Sequence, residues 1–178
     1  MRIPRSFALA LMAGLVGCES GAGPQMSHVY VRLTDAPDPA IIAASAFIST
    51  VYLIGADGTA RDTITSGPST EYDLLSLQGG VTTLIGDATI PAGDYVQLRL
   101  IVDSATVTLD GEAEARTLKV PSGMQSGIKV QFAGPIHLEP PTVVVTVDFD
   151  VENSFIVTGP TPPRQVLFRP VLHGVVTP

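Results

Sequence analysis

Residues 142–152 read TVVVTVDFDVE, and their alternation decides the fold class. Successive side chains of an extended chain point to opposite faces, so Val143, Val145, Val147, Phe149 and Val151 share one face. Asp148, Asp150 and Glu152 share the other, about 6.6 Å apart from one to the next. A face of valines backed by a face of acids is the pattern of a half-buried β-strand.

The same period of two extends in both directions. GIKVQFAG (127–134) sets Ile128, Val130 and Phe132 inward against Lys129 and Gln131. ATVTLDGEA groups Ala105, Val107 and Leu109 before an Asp110-Gly111 turn, and ARTLKV returns from it. YVQLRLIVD follows a turn at Pro91-Ala92-Gly93-Asp94. Its alternation predicts Val96, Leu98, Leu100 and Val102 inward, with Tyr95, Gln97, Arg99 and Ile101 outward. YDLLSL predicts a short element. AFISTVYLIG is an apolar stretch that ends at the hairpin signal Asp57-Gly58. HVYVRLT places Val29, Val31 and Leu33 opposite His28, Tyr30 and Arg32. QVLFRPVLHGVV closes the chain, with Pro170 marking an edge or a bulge. One helical signal interrupts the series. In DAPDPAIIAASA, Asp38 suits an N-cap and Pro39 a first helical position. Roughly eight to ten short strands separated by turns predict an all-β fold, a two-sheet antiparallel sandwich.

Composition supports one such domain. The chain has 178 residues, 45% of them hydrophobic, so it is neither too short for a core nor of disordered composition. Its 15 prolines and 17 glycines suit frequent turns. Acidic residues number 17 against 10 basic ones, a balance that repels nucleic acid and anionic headgroups.

The N-terminus carries an address. Arg2 and Arg5 precede the uncharged run FALALMAGLVG (7–17), which as a helix would be about 16 Å long. That is roughly half of a ~30 Å hydrocarbon core, so an export signal fits better than a span. Leu15-Val16-Gly17-Cys18 resembles the lipobox of bacterial lipoproteins. The resemblance implies that the Cys18 thiol receives diacylglycerol, that the chain is cut before it, and that the new amine is acylated. Residues 1–17 are then a signal peptide, 18–27 a lipidated tether and 28–178 the β-sandwich domain. Two or more acyl chains hold a protein to a bilayer stably. Cys18 is the one cysteine, which leaves no thiol for a disulfide or an active site. Loss of Arg2 and Arg5 leaves eight basic residues against 17 acidic ones, a balance of −9. Position 19 is glutamate rather than the aspartate that favours inner-membrane retention in Gram-negative lipoproteins. The resemblance therefore implies a cell-envelope location at the outer membrane.

VRLTDAPDP, IPAGDYVQLRL, VPSGMQSGIKV, VDFDVENSFIVTG and FRPVL, in that order, are together similar to the bacterial lipoprotein family catalogued as domain of unknown function 4382. The similarity runs from about Val29 to Val175. It implies an all-β sandwich of immunoglobulin or transthyretin type on a lipid anchor, and it implies no activity.

The chemistry-bearing residues are mostly acids. If the loop LTDAPD lies beside the strand ending DFDVE, Asp35, Asp38, Asp148, Asp150 and Glu152 supply oxygens of the number calcium takes. The plainer readings stand beside this one. Asp38 caps a turn, Asp35 makes an Asx-turn, and the strand acids form a solvated face paired with Arg99, Lys129 or Arg169. The spacing is not that of an EF-hand. His28, His137 and His173 are scattered, and the chain has no G-x-S-x-G, H-E-x-x-H, C-x-x-C or Walker motif. Ser122 sits in a Gly-rich turn with no marked base. There is no Trp, and Tyr30 and Tyr95 on outward faces make a weak sugar platform. The expected protein is a non-enzymatic, membrane-anchored envelope module that binds or scaffolds a protein or glycan. A calcium-binding module is the alternative, with a hydrolase third. A hydrolase requires a pocket that holds a histidine beside a serine or an acid.

Overall fold

The structure is a computed structural model that describes residues 23–36, 38–120, 126–159 and 164–178. The signal peptide, Cys18 and Ser122 lie outside the described residues. Strands run in the order β1 (Met26–Ala36), β2 (Ile41–Gly55), β3 (Arg61–Asp73), β4 (Thr83–Pro91), β5 (Gly93–Leu109) and β6 (Arg116–Lys119). Then come β7 (Ile128–Lys129), β8 (Gln131–Phe132), β9 (Ile136–Leu138), β10 (Thr142–Asp150), β11 (Phe155–Thr158), β12 (Gln165–Phe168) and β13 (Leu172–Thr177). A 3-10 segment, Leu75–Gly80, links β3 to β4, and a single helical turn, α1 (Val151–Ser154), follows β10.

These strands make an all-β sandwich. One sheet has the order β4-β1-β10-β13-β8; the other has the order β3-β2-β5-β6, with β7 and β9 also on β5. β11 and β12 form a separate ribbon. The alternating faces read from the sequence are the faces that pack. Val29, Val31, Leu33, Val145, Val147 and Phe149 are all fully buried, against Leu98, Leu100 and Val102 of the opposite sheet. Burying each such side chain is worth roughly 1.5–3 kcal/mol.

Most pairings are antiparallel, but β1 and β10 run parallel, from His28 beside Thr142 to Ala36 beside Asp150. β13 and β8 are parallel as well. The β1–β10 pairing matters most for the site. Parallel strands finish side by side, so the acid-bearing ends of two segments more than 100 residues apart meet at one end of the sandwich.

Four local expectations are corrected. The described residues of the DAPDPAIIAASA segment are not helical. Asp38 Oδ1 accepts from the Ala40 N–H at 2.8 Å, a turn that feeds directly into β2. β2 is paired on both edges, by β3 and β5, and that pairing overrides the helix preference of its alanines. In β5, Tyr95 is inward and Val96 is 49% exposed. Ile54 pairs with Gln97 and Gly55 with Tyr95, so Val96 is an extra residue in a bulge that reverses the alternation. YDLLSL is the end of β3 followed by the 3-10 segment. Finally, the run beginning at Gln165 is two strands rather than one, because Arg169-Pro170-Val171 separates β12 from β13.

Candidate functional site

Two features carry polar chemistry, and the first is the shared end of β1 and β10. The alternation that buries Val29, Val31 and Leu33 also buries Asp35, which is 6% exposed and lies beside Phe149 in the parallel register. Among the described residues, neither Asp35 oxygen makes a hydrogen bond of good geometry, and neither does Asp148 Oδ1; Gln78 and the backbone N–H groups of Val151 and Ala36 are the donors near Asp35. Burial pushes the Asp35 carboxyl up to about 7; the charge of Asp148 adds to this, while Gln78 and the backbone N–H groups of Val151 and Ala36 pull it down. The Asp148 carboxyl is raised too, by burial first and then by Asp150, with His173 opposing.

Asp150 closes the strand by capping α1. Its Oδ1 accepts from the Asn153 N–H at 3.0 Å and its Oδ2 from Asn153 Nδ2 at 2.8 Å. His173 Nε2 lies 3.8 Å from Asp150 Oδ2. The parallel pairing therefore brings Asp35, Asp148 and Asp150 to one end. It does not bring in Asp38, which holds its own turn, nor Glu152, which is exposed on α1 instead of continuing the strand. Among the described residues, no three His, Cys, Asp or Glu side chains are grouped closely enough to hold a metal ion.

The second feature is a cleft of about 780 Å³ that no sequence pattern marks. One wall is Ser126-Gly127-Ile128. Its backbone is pinned, because the Ser126 carbonyl accepts from Tyr52 Oη at 2.6 Å and from an Arg99 guanidinium N–H at 2.7 Å. Gly127 has φ +68°, and a Cβ there would approach the Leu100 carbonyl to 3.1 Å, so glycine is required. The facing wall is the β11–β12 ribbon, anchored by Phe155 and Phe168, whose rings lie 4.7 Å apart and are buried. On the ribbon's outer face Ile156 pairs with Leu167, and the two are 38% and 54% exposed. Ser154 ties α1 to the floor: its hydroxyl accepts from the Val171 N–H at 2.8 Å, and its carbonyl accepts from the Arg169 N–H at 2.9 Å. Arg169, Asn153 and Gln131 also line the cleft, and no carboxylate is among its described lining residues.

The histidines are held apart. His28 contacts Thr89 at 3.0 Å and Asp87 at 3.3 Å. His137 Nδ1 is 2.5 Å from Asp94, and with Glu139 it lines a separate recess of about 150 Å³. The large cleft has a serine without a histidine among its described lining, whereas the recess sets His137 beside Glu139, the histidine-and-acid pairing that a hydrolase requires. Tyr95 is buried, with its hydroxyl 3.0 Å from Asp62 and 2.9 Å from the Pro91 carbonyl, so it forms no surface platform with Tyr30.

A family model described as Domain of unknown function (DUF4382) matches residues 26–170. Neither a curated protein nor a solved structure matches the chain.

Proposed function

The chain belongs to the family of the domain of unknown function DUF4382, and from that premise we propose that it is an envelope lipoprotein whose β-sandwich is a non-enzymatic binding module. Acylated Cys18 holds the module to the membrane, at the outer membrane of the envelope, through the tether of residues 18–27, whose last two residues, Met26 and Ser27, already belong to β1. The ligand, an envelope protein, a glycan or a smaller envelope component, occupies the cleft between Ser126–Ile128 and the β11–β12 ribbon. The observation that carries this reading is the construction of that cleft. Its volume falls within the few hundred to 1,000 Å³ typical of ligand sites, and its walls are fixed by hydrogen bonds made before any ligand arrives.

The test is capture from native envelopes with the lipidated protein, run beside Ile156→Lys, which places a charge in the cleft at a position that is already partly exposed. A partner retained by the parent and lost by Ile156→Lys supports the cleft. A partner retained equally by both sinks it. Mass spectrometry of the mature N-terminus tests the anchor separately; a Cys18 without lipid removes it.

A second reading is favoured by one observation, the unpartnered oxygens of Asp35 and Asp148. A calcium ion beside the buried Asp35 carboxylate would neutralise its charge, with Gln78 and water among its six to eight oxygens. Calorimetry with calcium decides it, since absence of heat together with an unmoved melting midpoint ends the reading.

A further inference from the structure

Resting on the reading of the cleft as a ligand site, we infer that its ligand is an anionic amphiphile, an acid group gripped by Arg169 with an apolar body laid against Ile156 and Ile128. The first ground is charge. Once Arg2 and Arg5 leave with the signal, eight basic residues face 17 acidic ones, so a surface arginine here has acids in excess to pair with. Arg116 and Arg164 do so, both meeting Glu112. Arg169, like Arg32, Arg61, Arg99, Lys119 and Lys129, has no ion-pair partner among the described residues; what sets it apart is that it lines a cleft whose described lining holds no acid. A cleft without carboxylates that carries a guanidinium, on an otherwise acidic body, is a local reversal of the molecular field. Such a site attracts anions where the acidic surface around it repels them. The guanidinium fork also matches a carboxylate or phosphate in a two-point contact, which an ammonium does not offer.

The second ground is the composition of the walls. Val120, Ile128, Ile156, Phe168 and Val171 line the cleft beside Ser126, Gln131 and Asn153. A fully ionic ligand would leave that apolar surface wet, and a hydrocarbon would leave the guanidinium and the amides unused. A ligand with both parts uses both. The backbone at Arg169 is fixed by its bond to the Ser154 carbonyl, so the side chain springs from a rigid point.

The experiment uses the mature chain from residue 18 with Cys18→Ser, titrated in the calorimeter with decanoate, decanol and decylammonium below their micellar concentrations, and with decyl phosphate to compare the two acid groups. Decanoate or decyl phosphate is expected to bind at least about tenfold more tightly than decanol, because a hydrogen bond to a charged group is worth about that factor. Arg169→Gln is expected to erase the difference while leaving the melting midpoint of the free protein in place. Equal binding of decanoate and decanol, unaffected by Arg169→Gln, overturns the assignment of charge and leaves the cleft standing. Tighter binding of decylammonium than of decanoate also overturns it. If no probe binds to the parent or to Arg169→Gln, the amphiphile assignment falls, and the cleft as a site for a protein or glycan is decided by the capture experiment with Ile156→Lys.

Discussion

The ring of Phe132 fills the space that a Cβ on Gly174 would take, at the two-residue stretch where β8 pairs with β13. Val130 closes on the same point, with Cγ1 2.8 Å from that imagined atom. The glycine is there for clearance rather than for backbone freedom. It lets an aromatic ring lie across the strand and cap the sheet edge.

Gly174→Ala should therefore cost about 1–3 kcal/mol, the usual price of overpacking a filled site. The loss appears as a melting midpoint lowered by several degrees. Gly134→Ala is the control, because nothing lies within 4 Å of a Cβ at Gly134. A Gly174→Ala protein that melts with the parent would mean that Phe132 swings away freely.

The bulge at Val96 makes a paired prediction. Val96→Ser should change stability by less than about 0.5 kcal/mol, as an exposed substitution does. Tyr95→Ala should cost several times more, by emptying a buried aromatic site, and Tyr95→Phe about 1 kcal/mol for the lost hydroxyl bond. Chemical denaturation of the three variants reads the order directly. If Val96→Ser proves the costliest, the strand runs without a bulge.

That pair also marks where the sequence stops being legible. Alternation named the buried faces of β1 and β10 because each packs one face on the core without interruption. In β5 an apolar residue stands at the bulge itself, so Val96 continues the pattern by eye while the pairing of Ile54 and Gly55 moves it outward. The Asp38–Ala46 stretch misled for a related reason. Its alanines have helix preference, and only the strands on either side of β2 decide against it. The arrival of Asp35 and Asp148 at one end of the sandwich depends on a parallel pairing that no local pattern encodes, though the acids themselves are visible. The cleft was illegible because its walls come from residues near 120–131 and 153–171, and its one cation sits in an ordinary-looking LFRPVL. The lone arginine in an apolar run was the available signal.

Glu112 clasps the turn after β5 to the start of β12. It pairs with Arg116, and its Oε1 accepts from the backbone N–H of Arg164 at 3.1 Å. Burial alone would raise its carboxyl, but the bonds from Arg164 and the charges of Arg116 and Arg164 outweigh burial and hold it below its ordinary value. A depressed carboxylate stabilises above its unfolded value and loses that stability as pH falls through the folded one. Glu112→Gln should melt below the parent at pH 7, with the gap closing well below pH 4.5. A gap that persists unchanged at pH 3 would assign the effect to shape rather than charge.

Asp35 carries the opposite slope. Its carboxyl titrates near 3.8 when unfolded and near 7 when buried beside Phe149, so between those values the folded chain binds the extra proton. Stability contributed by this group therefore falls as pH rises from about 4 to about 7, and the cost is complete above that window. A shift of this size corresponds to at most about 4 kcal/mol at pH 8, most of it from burial and a smaller part from the charge of Asp148. Asparagine has nearly the shape of the protonated acid and cannot ionise. In calcium-free buffer, Asp35→Asn should match the parent near pH 4 and melt clearly above it at pH 8, so that a destabilised variant at pH 8 would mean the charge is held by a partner rather than merely buried. Saturating calcium separates the causes. If an ion sits on Asp35, it raises the parent at pH 8 and leaves the asparagine variant unmoved, whereas a buried charge alone leaves both curves where they were.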